Sequence, residues 1–103
     1  MSKISLMAKL VAHPGKGDEL ASVLEEMFTH VEHEPGTEVY VLNRSNEDPD
    51  TFFFFFDLYS NAEAFAAHRR SDVMKEIGAS FAPLIKDREL LVCSPLKAIG
   101  LSL

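Results

Sequence analysis

The sequence contains no tryptophan and a single cysteine, Cys93, so an internal disulfide is excluded and a reducing compartment is expected. Cys93 follows the apolar run Leu90, Leu91, Val92 with no base or cation beside it, which marks a structural thiol rather than a nucleophile. Glycine and proline number five each, too few for a fibrous or disordered chain. Positive charge is also scarce. Ten Lys and Arg against sixteen Asp and Glu leave a net charge of -6, the wrong sign for a surface that follows a phosphate backbone, so nucleic acid is not an expected partner. No run approaches the roughly 20 apolar residues of a membrane span. Lys9 interrupts the N-terminal apolar stretch before any cleavage signal, and no lipidation signal is visible, so the expectation is a cytoplasmic protein without membrane contact. Phosphate and dinucleotide loops and the GxSxG nucleophile motif are missing too; Gly15, Lys16, Gly17 is only a fragment of a phosphate loop.

What is present is one domain over residues 1–103, 47% hydrophobic, with two periodicities. Residues 4–12 alternate with period 2 and predict a strand, which Pro14, Gly15 and Gly17 end. From Asp18 the apolar positions Leu20, Val23, Leu24, Met27, Phe28 and Val31 have helical spacing, and Pro35 and Gly36 stop that helix. Residues 38–44 and 51–59 predict two strands joined by the polar turn 46–50, hence antiparallel. Ser60 and Glu63 have the form of a capping box opening a second helix, with Ala62, Phe65 and His68 or Arg69 on its inner stripe. Ser71 and Asp72 cap a continuation carrying Val73, Met74, Ile77 and Phe81. Residues 88–94 predict the last strand, and Leu96, Ile99, Leu101 and Leu103 form an apolar tail.

Strand, helix, strand, strand, helix, strand is the ferredoxin-like βαββαβ order: an α+β fold with a four-stranded antiparallel sheet and both helices on one face. Five consecutive phenylalanines make the third strand apolar on both sides, so its second face needs a cover. With no residues left over to supply one, the expected cover is a second copy, making a homodimer.

Glu26, His30 and His33 share a helical face but have no second cluster to complete a coordination sphere, and the acidic turn 46–50 lacks the central glycine of a calcium loop. No metal and no cofactor is expected. His68 follows Phe65 by three residues on the stripe facing the sheet, near a strand bearing Asp57 and Tyr59. It reads either as a buried histidine satisfied by one partner or as a titratable base at an aromatic cleft. Tyr40 reads either as a donor in that cleft or as a strand-forming residue with its hydroxyl in water.

Taken together, several segments resemble the antibiotic biosynthesis monooxygenase superfamily of small dimeric α+β barrels. They are Pro14, Gly15, Lys16; Glu34, Pro35, Gly36, Thr37 leading to Tyr40; Asp57, Leu58, Tyr59; and Ala64, Phe65 with Ala67, His68 and Ser71. The resemblance implies a barrel of two sheets and, in several relatives, oxidation of polyphenols or quinols by molecular oxygen without flavin, metal or haem. It implies His68, Asp57 and Tyr40 as catalytic residues, with Asp57 reaching the His68 ring, and Phe53, Phe55, Tyr59 and Phe65 as the aromatic substrate surface. Asp72 and Val73 depart from the Ser-Pro-His that many relatives carry after this histidine. The absence of tryptophan sets the chain apart from the haem-degrading branch. The resulting expectation is a cofactor-independent quinol monooxygenase. The alternatives are a family isomerase or degrading enzyme for a small polar metabolite, with Arg44 or Arg69 facing inward, and a non-catalytic dimeric binding module.

Overall fold

A computed structural model describes residues 2–103, apart from the side chain of Phe55. Strand β1, Ile4–Ala12, lies at the centre of the sheet and turns Leu6, Ala8, Leu10 and Ala12 to one face. Helix α1, Gly17–Glu26, and the single turn α2, Phe28–Val31, cover that face with Leu20, Leu24 and Val31. Helix α1 has no side-chain cap of its own; the Asp50 carboxylate accepts from the Gly15 and Gly17 amides at 3.3 and 3.0 Å instead. An acidic group at the positive end of a helix stabilises it by satisfying donors that have no partner within the helix. A Cβ on Gly17 would meet the Pro49 carbonyl at 2.5 Å, so this turn needs glycine.

The expected strand over residues 38–44 is interrupted. It forms β2, Thr37–Val39, and β3, Leu42–Arg44, both antiparallel to β4, Thr51–Tyr59. The reason lies in β4. Leu6 pairs with Asp57 and Met7 with Phe55, which leaves Phe56 as an extra residue, a β-bulge with φ of 73°. The break at Tyr40 and Val41 sits opposite this bulge. Because side chains alternate along a strand, the inserted residue reverses the facing of everything after it. Phe52 and Phe54 face the helices before the bulge, and Asp57 and Tyr59 face them after it.

Helix α3, Ala62–Arg70, starts one residue later than the capping box implied. Asn61 is the cap, its side chain accepting from the Ala64 amide at 2.8 Å, while the Ser60 hydroxyl donates to Glu38 at 2.7 Å. Ser71 caps helix α4, Asp72–Phe81, as its sequence predicts. A 3-10 turn leads into β5, Ile85–Cys93, which begins three residues before the predicted strand and pairs with β1 at the sheet edge. The sheet order β2-β4-β1-β5, with β3 beside β4, is the α+β ferredoxin-like arrangement. No helix among the described residues is long and apolar enough to cross a membrane.

Candidate functional site

Helix α3 carries Phe65 and His68 three residues apart, and both rings lie over the end of β4. His68 is buried at 4% exposure, with ring centroids 5.3 Å from Tyr59 and 5.6 Å from Tyr40. Phe65 packs on Tyr59 at 5.1 Å. Tyr40, at the break between β2 and β3, also meets Phe28 and Phe54 at 5.0 and 4.8 Å. Its hydroxyl donates to Met27 Sδ at 3.8 Å, and both residues line the cavity between the helices and the sheet, so the reading that leaves the hydroxyl in water does not hold.

The carboxylate that meets His68 is Glu34, not Asp57. His68 Nδ1 lies 2.7 Å from Glu34 Oε1, and the Thr37 hydroxyl donates to the same oxygen at 2.8 Å. An ionised carboxylate only accepts, so Nδ1 is the donor of this pair, and the neutral form of the ring then has its lone pair on Nε2. Asp57 belongs to the cavity wall by a different route, through the bulge at Phe56. Glu34 stood in the sequence as part of the turn Glu34, Pro35, Gly36, Thr37, with no role attached. The signal that finds it is Gly36: a Cβ there would collide with Ala64 of α3, so glycine lets the turn bearing Glu34 close onto the helix bearing His68.

Between the helices and the sheet lies a cavity of about 700 Å³. Leu6, Ala8 and Phe54 form its floor, Met27 and Tyr40 one side, and Phe65, His68 and Arg69 another. Asp57 reaches it with 1% exposure, and its Oδ1 has no hydrogen-bond partner among the described residues. Burial pushes its carboxyl up to about 7, opposed only by the Val41 backbone amide. Burial likewise raises the Tyr40 and Tyr59 hydroxyls above the usual tyrosine range, with the Asp57 carboxylate adding to it, so both stay protonated. The Tyr59 hydroxyl is buried with no partner among the described residues, and Tyr59 packs on His68 without lining the cavity.

Of the expected aromatic surface, Phe65 lines the cavity and Tyr59 supports it. Phe53 pairs with Lys9 on the opposite face of the sheet and does not line it; Phe54 takes that place. The Phe55 side chain lies outside the described residues. Arg69 faces the cavity with its guanidinium 5.6 Å above the Phe65 ring, whereas Arg44 turns away to Asp18 at 2.9 Å and the Pro49 carbonyl at 2.7 Å. No group of three or more potential metal ligands gathers among the described residues. The site offers a histidine held at Nδ1 by a carboxylate, a buried carboxyl raised towards neutrality and largely apolar inner walls. That combination suits proton transfer to and from a planar, largely apolar ligand.

The sequence profile described as "Antibiotic biosynthesis monooxygenase" matches residues 3–80. No curated protein matches the sequence. Among solved structures, a candidate antibiotic biosynthesis monooxygenase of Caulobacter crescentus is 26% identical with a TM-score of 0.85, over 93% of this chain and 92% of that one. A protein of the same description from Chloroflexus aurantiacus is 25% identical with a TM-score of 0.82, over 98% of this chain and 100% of that one. A Shewanella oneidensis protein at 20% identity shares the fold, with a TM-score of 0.85 over 91% of each chain.

Proposed function

The chain belongs to the antibiotic biosynthesis monooxygenase family, and from that membership we propose that it is a cofactor-independent monooxygenase oxidising a small aromatic quinol or polyphenol with molecular oxygen to a quinone. The observation that supports this most is the His68 ring on the cavity wall, its Nδ1 held by Glu34 at 2.7 Å. His68 Nε2 accepts a phenolic proton, and the Glu34 carboxylate stabilises the imidazolium that forms. The phenolate passes one electron to oxygen, the radical pair joins through a new carbon–oxygen bond, and the His68 imidazolium returns its proton to the peroxide to give a ring hydroperoxide. The oxygen–oxygen bond then breaks and water leaves with the ring hydrogen. One oxygen atom stays as a carbonyl, the other leaves as water, and the substrate supplies the electrons. The apolar walls keep the radical pair away from bulk water.

The same proposal takes the protein as a homodimer. Leu91 of β5 is 52% exposed and pairs with Met7 on the sheet face away from the helices, where Phe53 also lies, and Leu96 and Ile99 are almost wholly exposed. A second copy packed there covers an apolar surface larger than monomers usually leave in water.

Oxygen uptake with a panel of hydroquinones and naphthohydroquinones tests the chemistry. Turnover is expected without added flavin or metal, and His68→Gln is expected to lower it by roughly 10²- to 10⁴-fold while the fold persists. Uptake that is absent with every quinol, or unchanged by His68→Gln, overturns the proposal. The isomerase or degrading-enzyme alternative draws on Arg69 facing the cavity, and turnover of a polar metabolite without oxygen consumption is the result that favours it.

A further inference from the structure

The protein has ten lysines and arginines in all and a net charge of -6. Even so, Arg69, Lys75, Lys86 and Arg88 all border one cavity, against only two carboxylates there, Asp57 and Asp87. None of these four cations is within ion-pair distance of a carboxylate among the described residues. They come from α3, α4 and β5 and are solvent-exposed, so they stand at the mouth. The inner end is of opposite character. Asp57 and His68 are both buried and line it, Asp57 Oδ1 has no partner among the described residues, and an unpaired buried acceptor calls for a donor from the ligand.

We infer that the cavity selects an aromatic hydroxy acid, with its phenolic hydroxyl inward against Asp57 and His68 and its anionic group outward among Arg69, Lys75, Lys86 and Arg88. Phe54 and Phe65 line the same cavity and suit a planar apolar body. Cations clustered at the mouth of a low-dielectric cleft also concentrate and steer an anion towards it. The inference rests on the cavity being the substrate site of the proposed function, and it is independent of the oxygen chemistry.

Calorimetric binding under nitrogen separates the two. The probes are 6-hydroxy-2-naphthoate, which carries the two groups at opposite ends, 2-naphthol, which lacks the anion, and 2-naphthoate, which lacks the hydroxyl. The hydroxy acid is expected to bind about tenfold tighter than 2-naphthol at low salt, with the advantage shrinking as salt rises. It is also expected to bind more tightly than 2-naphthoate, which leaves Asp57 unpaired. Arg69→Gln with Lys75→Gln, both at exposed positions, is expected to remove most of the advantage over 2-naphthol with an unchanged circular dichroism spectrum. Equal affinity for the hydroxy acid and 2-naphthol, an advantage that survives the double substitution, or no binding of any probe overturns the inference. Absent oxygen uptake with intact selective binding overturns the redox chemistry alone.

Discussion

His68 Nδ1 and Glu34 Oε1 meet at 2.7 Å across 34 positions of sequence, and the Thr37 hydroxyl holds the same oxygen at 2.8 Å. The pair fixes the tautomer of the ring and places a negative charge where an imidazolium would form. Glu34→Gln keeps a carbonyl acceptor for Nδ1 but removes the charge, so turnover is expected to fall about 10²-fold with little change in KM. Steady-state oxygen uptake checks this, and an unchanged kcat would make the pair a packing contact.

Asp57 titrates at about 7 instead of 3.8 because burial disfavours its charged form. The folded protein therefore holds that proton more tightly than the unfolded chain, and between roughly pH 4 and pH 7 this group's contribution to stability falls as pH rises. Above that window the full cost, on the order of 4 kcal/mol, is present. Asp57→Asn is neutral at every pH, so its thermal midpoint is expected to exceed wild type by about 10 °C or more at pH 8 and by little at pH 4. Thermal unfolding of both proteins at the two pH values decides it; equal midpoints at pH 8 would mean that the carboxylate is hydrated or paired.

Gly36→Ala inserts a methyl group against Ala64 and forces the Glu34 turn away from α3. Destabilisation by about 1–3 kcal/mol is expected, as for overpacking in a close contact. Turnover should fall further than this loss of stability explains, because the Glu34 to His68 distance is set by that contact. Chemical denaturation and kinetics on the same preparation check both, and a variant with wild-type stability and rate would refute the close approach.

Leu91 pairs with Met7 on the sheet face away from the helices and is 52% exposed. If a second copy covers that face, Leu91→Arg is expected to shift the mass seen by light scattering from dimer to monomer at micromolar concentration. A wild-type protein that is already monomeric would remove the dimer from the proposal.

The α+β order was legible in the sequence because each element announces itself locally. Period-2 alternation marks β1, helical spacing from Leu20 to Val31 marks α1 and α2, and Ser71 caps α4 as its hydroxyl predicts. Phe65 and His68 on one stripe of α3 were legible for the same reason, since three residues of helix bring two side chains to one face.

The tertiary structure alone decided the rest. Alternation can assign a strand's faces only where polar and apolar residues differ, and five consecutive phenylalanines carry no such contrast. The bulge at Phe56 was therefore invisible, and with it the reversal that turns Phe54 and Asp57 to the same side and leaves Phe53 on the other. The partner of His68 was hidden for a related reason: its distance from Glu34 depends on how closely a turn docks on a helix at Gly36 and Ala64, a contact between segments that no local pattern encodes.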